Sequence, residues 1–258
     1  MEPRKYFRLM FMLMMSAGFL SQIQAQDLTG EQVLDKIKES INATSSQIHI
    51  AMEIYNKSGD KRERALDIYT KDKDNVSNAL IKFTAPADVA GTAFLSRDVT
   101  GGNDEMYLYM PVLGGVRKIA GSQKNGSFVG TDFTYNDLSI LGGGNFKDDY
   151  TATVIRHSDE EYVLKLDPTN EDIHYQYVKM WVEATKWFPT KMELYDPDGS
   201  VEKELTNSDL VKIDNLWTAK QLTMKNVQKG TKTVLSLENI QYNVTLNDQI
   251  FTTRYMQR

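Results

Sequence analysis

The chain contains no cysteine. Disulfides, thiol nucleophiles and thiolate metal sites are therefore all excluded. Lipid attachment at a cysteine behind an N-terminal leader is excluded as well. Histidine is scarce. His49, His157 and His174 are far apart and lack the His-Glu-x-x-His spacing of a zinc hydrolase. Each reads as an exposed or hydrogen-bonded structural residue. There is no Gly-x-Ser-x-Gly nucleophile elbow. The glycine-rich stretches "GGVRKIAG" and "GGGNF" match neither a Walker loop nor a dinucleotide fingerprint. No cofactor or metal motif is present. The run "DPDGSVE", Asp196–Glu202, has its glycine at the fourth place, whereas a calcium loop needs it at the sixth, so it reads as a hairpin turn. Carboxylates are plentiful, so a hydrolase built on an Asp/Glu pair stays open as a reading; nothing in the sequence singles out the pair.

A long apolar run is missing too. Leu9–Leu20, "LMFMLMMSAGFL", is the longest, and it falls short of the ~18 residues that span a bilayer. It sits behind Arg4, Lys5 and Arg8 and before "SQIQAQ". That order is the signature of a secretory signal peptide, residues 1–25, with residues 26–258 as the mature domain. The whole chain has 30 basic and 35 acidic residues; the leader holds three basic residues and one acidic residue, which leaves 27 and 34, a net charge of −7. Such a balance argues against nucleic acid and against general adsorption to anionic membranes.

The remaining composition, 41% hydrophobic and 25% charged, is that of a globular protein large enough to fold without disulfides. One helix is expected at the start of the mature chain. Thr29 and Gln32 form a capping box, Leu28 and Val33 occupy the staple positions, and Val33, Leu34, Ile37 and Ile41 share a face. The period then changes to two. Ile48, Ile50, Met52 and Ile54 alternate with polar or small residues. The same period continues in Leu66 and Ile68, in Ile81 and Phe83 (alternating with Leu80 and Lys82), in Met106, Leu108 and Met110 (with Tyr107 and Tyr109), in Val178, Met180 and Val182 (with Lys179, Trp181 and Glu183), and in Met192 and Leu194, Leu222 and Met224, and Leu235 and Leu237. Turn residues punctuate these runs, which predicts a meandering antiparallel sheet in one domain. The glycine-rich middle, Thr84 to Phe146, predicts bends and mobile turns, with a short helix beginning at Asn136 or Asp137.

A sheet this long must close on itself or cover its inner face, and only one long amphipathic helix is evident to cover it. The predicted consequence is a partly lidded apolar cavity. Its expected lining is Ile81, Phe83, Phe94, Met106, Leu108, Met110, Phe128, Phe133, Met180 and Val182. The simpler reading of the same residues is an ordinary sheet core.

Three stretches, "ADVAGTAFLSRD" (87–98), "MYLYMPVLGGVRKI" (106–119) and "GSFVGTDFTYNDL" (126–138), closely resemble signature blocks of the outer membrane lipoprotein-sorting family, in the LolA/LolB-like superfamily. "WVEATKWFPTKMELYDPDG" (181–199) and "LNDQIFTTRYM" (246–256) resemble its later blocks. The resemblance implies a mainly β fold of the α+β kind: an unclosed antiparallel β-barrel round a hydrophobic cavity, with helices as a lid. It implies a soluble periplasmic, non-enzymatic, monomeric carrier of acylated lipoprotein or lipid. An inner-membrane transporter is an implied partner. The alternative is a periplasmic interaction subunit of an envelope transport complex, whose cavity is incidental.

Overall fold

The computed structural model describes residues 28–41, 43–73, 76–99, 104–138 and 146–258. The expected leader, residues 1–25, lies outside them. So does most of the expected short helix after Asp137.

Helix α1, Gly30–Ile41, begins where the capping box places it. The Thr29 N–H donates to Gln32 Oε1 (2.9 Å), and the Gln32 N–H donates to Thr29 Oγ1 (3.2 Å). Two of the amides that a helix start leaves unpaired are thereby satisfied. Its buried face, Val33, Leu34 and Ile37, joins the main core, with Leu28 and Ile41 at its margin. A short second helix, α2, covers Phe146–Asp149.

Thirteen strands make one antiparallel sheet among the described residues. They are β1 (Ser45–Tyr55), β2 (Lys61–Lys73), β3 (Val76–Ala85), β4 (Ala93–Arg97), β5 (Glu105–Met110) and β6 (Gly115–Ile119). After a long connection come β7 (Tyr150–His157), β8 (Glu161–Pro168), β9 (Tyr177–Glu183) and β10 (Phe188–Tyr195). The last three are β11 (Val201–Ile213), β12 (Leu216–Asn226) and β13 (Thr231–Tyr242). The spatial order is β6-β5-β4-β3-β2-β1-β13-β12-β11-β10-β9-β8-β7. Two meanders thus run outward from a central seam in which the first strand pairs with the last. The free edges are β6 and β7, which are consecutive in the chain. The sheet is not closed, and the connection between those two strands begins where the gap lies. The arrangement is an open β-barrel with helical cover.

Cross-strand partners share a face, so the register defines what looks inward. Leu108 lies opposite Phe94, Phe94 opposite Ile81, and Ile81 opposite Ile68. On the other arm, Leu164 lies opposite Met180, which faces Met192, then Leu205, then Met224. These inner residues form one continuous core with the buried face of α1. Gly30 marks how closely helix and sheet approach: a Cβ there would stand 2.2 Å from the Ala152 carbonyl oxygen. The neighbouring Glu31 carboxylate accepts the Ala152 N–H at 3.1 Å.

The outer face is not all solvated. Leu80, Ala93 and Leu95 point away from the barrel and are covered by the C-terminal segment, through Phe251 and Met256. On the period of two that puts Ile81 and Phe83 inside, Leu80 falls on the outer face. The C-terminal 3-10 turns, Asp248–Phe251 and Tyr255–Gln257, convert that face into a second, smaller core. No described helix is long and apolar enough to cross a membrane.

Candidate functional site: the plugged mouth of the barrel

The residues expected to line a cavity occupy the inner side of both arms and the loop between them. Ile81, Phe83, Phe94, Met106, Phe128, Phe133, Met180 and Val182 are all buried in the main core, and Leu108 packs on its margin. Met110 is half-buried and stands outside that core. Beyond it, the tip Pro111-Val112-Leu113 is a 3-10 turn that points its apolar side chains outward, with Val112 82% exposed. The glycine-rich stretch therefore splits in two. Its first half is strand and exposed tip. Its second half, Gly126–Leu138, turns inward and fills the mouth.

That second half is held as a compact plug. Val129 and Gly130 both adopt left-handed φ values, 48° and 74°, at the tip of its turn. The Phe128 N–H donates to the Phe133 carbonyl (2.7 Å), and Ser127 and Thr134 form an isolated antiparallel bridge. The turn leaves both Phe128 and Phe133 buried in the main core. Phe128 then stacks into a ring cluster, its centroid 5.7 Å from Phe83, 5.6 Å from Phe94 and 5.7 Å from Tyr135. Contacts of this kind add about 0.5–1.5 kcal/mol each beyond area burial.

Polar anchors tie the plug to both arms. On the β2 side, Arg64 Nη1 donates to the Val129 carbonyl at 2.6 Å, and its guanidinium lies 5.7 Å from the Phe83 ring. On the β13 side, the Asp132 carboxylate accepts the hydroxyls of Thr231 and Thr233 (2.7 Å for Thr233). On the β11 side, the Asp137 carboxylate takes the Lys203 ammonium at 2.8 Å, the Tyr175 hydroxyl at 2.9 Å and the Thr134 N–H at 2.7 Å. Asp137 is 1% exposed and Lys203 3%. Burial, with Asp137 beside it, holds the Tyr175 hydroxyl well above its ordinary titration range. Tyr175 is thus a fixed neutral donor. Further out, Lys124 pairs with Asp172 (3.0 Å), and the His174 Nε2 lies 2.9 Å from Glu202, whose pKa that contact lowers.

Nothing in the sequence singles out Arg64, Asp132, Tyr175 or Lys203, and Asp137 stands out there only as a candidate helix cap. A signal existed for one of them. Lys203 stands two residues before Leu205, at an inward period-two position. A charge in such a place needs a buried partner. The identity of that partner was not available locally.

Beside the plug is a cleft of about 260 Å3. It opens between the β1–β2 and β12–β13 turns and is lined by Ile54, Arg62, Asp132, Phe133, Lys203 and Lys229, among others. Of the other two histidines, His49 lies 2.7 Å from Asp67, and His157 stacks on Tyr162. Among the described residues, no group of three or more His, Asp or Glu is placed to hold a metal ion.

A family model described as "Uncharacterized protein" matches residues 75–258. No curated protein matches the chain. Among solved structures, a DUF1329 family protein from Desulfovibrio piger is 27% identical, with a TM-score of 0.82 over 88% of this chain and 98% of that one. A domain described as an outer membrane lipoprotein-sorting protein, from Vibrio parahaemolyticus, is 26% identical, with a TM-score of 0.82 over 89% and 98% of the two chains. A LolA superfamily protein from Nitrosomonas europaea is 22% identical, with a TM-score of 0.72 over 89% and 100%, and shares the fold.

Proposed function

Because the chain belongs to the outer membrane lipoprotein-sorting family of the LolA-like superfamily, we propose that it is a carrier of acylated cargo in the cell envelope. Residues 26–258 would act as one binding unit in the periplasm, and residues 1–25 as its export signal. The cargo is the acyl part of a lipoprotein or a lipid, handed on by an inner-membrane transporter. The observation that carries this reading is the inner belt of the open barrel. Leu164, Met180, Met192, Leu205 and Met224 follow one another from strand to strand. Three of these five are unbranched thioethers, which repack round chains of differing shape. Covering an acyl chain returns about 0.8 kcal/mol per methylene, so several methylenes suffice for useful affinity without any catalytic group.

Loading on this reading requires the plug to yield. Phe128 and Phe133 occupy the mouth, and they belong to a loop rather than to the sheet. A loop held by a few polar anchors can open at smaller cost than a strand can leave its ladder. The proposed lining is the set of ten residues named from the sequence, with Phe128 and Phe133 as its movable part. The same filled mouth favours a second reading, an interaction subunit whose interior never takes a ligand.

Native mass spectrometry of the mature protein, purified from the periplasm without detergent, separates the two. A bound acyl-containing species of defined stoichiometry supports the carrier. A ligand-free mass, unchanged after incubation with fatty acid and lysophospholipid, rejects it in favour of the interaction subunit.

A further inference from the structure

Two buried side-chain polar atoms have no hydrogen-bond partner among the described residues, Arg97 Nε and Asn207 Oδ1. Arg97 shares the outer face with Leu95, and Glu105 meets its charge at 2.6 Å. Asn207 differs because it looks inward. It follows Lys203 and Leu205 at intervals of two along β11, and both of those are buried on the inner side. Its partner on β12 is Leu222, which faces Leu235 and then Met52. An amide thus stands at the end of a row of apolar side chains.

The orientation of that amide is fixed. Its Nδ2 donates to the Pro189 carbonyl at 2.8 Å. A carbonyl only accepts, so turning the amide round would set two acceptors against each other. Oδ1 is therefore the atom left over, and a shielded acceptor without a donor costs stability. Its place is the margin of the interior. Ser208 and Asp209, next on β11, are exposed. Two residues before Pro189, the Trp187 carbonyl accepts the Ser40 hydroxyl from the last turn of α1 (2.8 Å). Asn207 therefore lies by the C-terminal end of the covering helix. Lys203, which anchors the plug through Asp137, is four residues away on the same strand, roughly 13 Å at the usual rise. The apolar belt lies between the two.

We propose that Asn207 is a ligand-binding residue. Its Oδ1 accepts a hydrogen bond from a donor carried beside the acyl chain of the cargo, an amide N–H or a hydroxyl, and the tail runs along the belt towards the plug. The proposal rests on the carrier reading and deepens it, because it sets which end of the cargo lies where. A linkage that offers acceptors only, such as a simple ester, leaves Oδ1 unpaired and is bound more weakly.

The test is calorimetric titration of the mature protein with two matched pairs of ligands. N-methyl lauramide and N,N-dimethyl lauramide differ in one N–H; dodecanol and its methyl ether differ in one O–H. The wild type is expected to bind the donor-bearing member of at least one pair about tenfold more tightly, the worth of one hydrogen bond to an otherwise unpaired acceptor. A preference in the amide pair assigns an N-acylated head, and one in the alcohol pair a hydroxylated head. Asn207→Leu should bind both members of that pair equally. Asn207→Asp, whose carboxyl stays protonated in mildly acid buffer in so apolar a setting, can still donate to Pro189 and accept from the ligand, so it should keep the preference. Equal binding within both pairs by the wild type overturns the Asn207 subsite and leaves the carrier standing. Failure of all four ligands to bind overturns the two together. A preference that survives in Asn207→Leu, even with stability lowered, would make the amide only a brace on Pro189 and would also overturn the proposal.

Discussion

The Lys203 ammonium lies 2.8 Å from the Asp137 carboxylate, and both side chains are almost wholly buried. The pair joins β11 to the plug across the mouth of the barrel. Removing one partner leaves an uncompensated buried charge. Lys203→Met or Asp137→Asn alone is expected to cost about 3–5 kcal/mol, whereas Lys203→Met with Asp137→Leu should recover most of that loss. Urea unfolding of the three variants checks it. Equal loss in the single and double variants would mean that the pair is not the element that matters.

Phe128 fills space that the carrier reading assigns to cargo. Phe128→Ala should lower stability by about 3–5 kcal/mol, the usual cost of emptying a buried aromatic site. It should also raise the capture of a fluorescent fatty acid, since the mouth is then partly open. Weaker capture in a folded variant would make the ring a fixed part of the lining instead of a plug.

Leu108 sits on the margin of the core opposite Phe94. Leu108→Asp places a carboxylate beside Phe94 at the edge of the apolar interior. Acyl-ligand retention should disappear while circular dichroism shows the sheet intact. Full retention by a folded Leu108→Asp protein would remove the β5 face from the proposed lining.

The outer core predicts a dependence on the C-terminus. Phe251 and Met256 cover Leu80 and Leu95. Phe251→Ala should cost about 3–5 kcal/mol in thermal or chemical unfolding although it lies far from the inner belt, and ligand affinity should not change. A variant as stable as the wild type would show that the segment is only laid on the sheet.

Asp98 gives a pH prediction. Burial is the main cause that pushes its carboxyl up to about 6 from the usual 3.8. The folded protein keeps this proton between about 4 and 6, where the unfolded chain has lost it. The stability this group contributes is therefore present at low pH and is lost as pH rises through about 6. Asp98→Asn, whose side-chain oxygen can still accept the Ser77 N–H that Asp98 takes at 2.9 Å, should flatten the stability profile across that window. An identical slope in wild type and variant would rule Asp98 out as its source.

What the sequence determined by itself is local. The Thr29–Gln32 capping box and the apolar stripe of α1 act within one or two turns of helix, so they can be read before any fold is known. The alternation in β1, β3, β5 and β9 likewise tells which side of each strand is apolar, because successive side chains alternate by geometry alone. The blocks at 106–119 and 126–138 carried the family and, through it, the open barrel.

What only the tertiary structure decided is which distant groups meet. Alternation does not say that β1 pairs with β13, and so it could not place the gap between β6 and β7. Nor could it show that Leu80 is covered, since Phe251 arrives from the far end of the chain. Asp137 and Lys203 are 66 residues apart, and Asp132 and Thr233 are 101 apart. A lone inward lysine announces that it needs a partner. Where that partner comes from depends on the loop that bridges the open edges, and that depends on how both arms of the sheet pack.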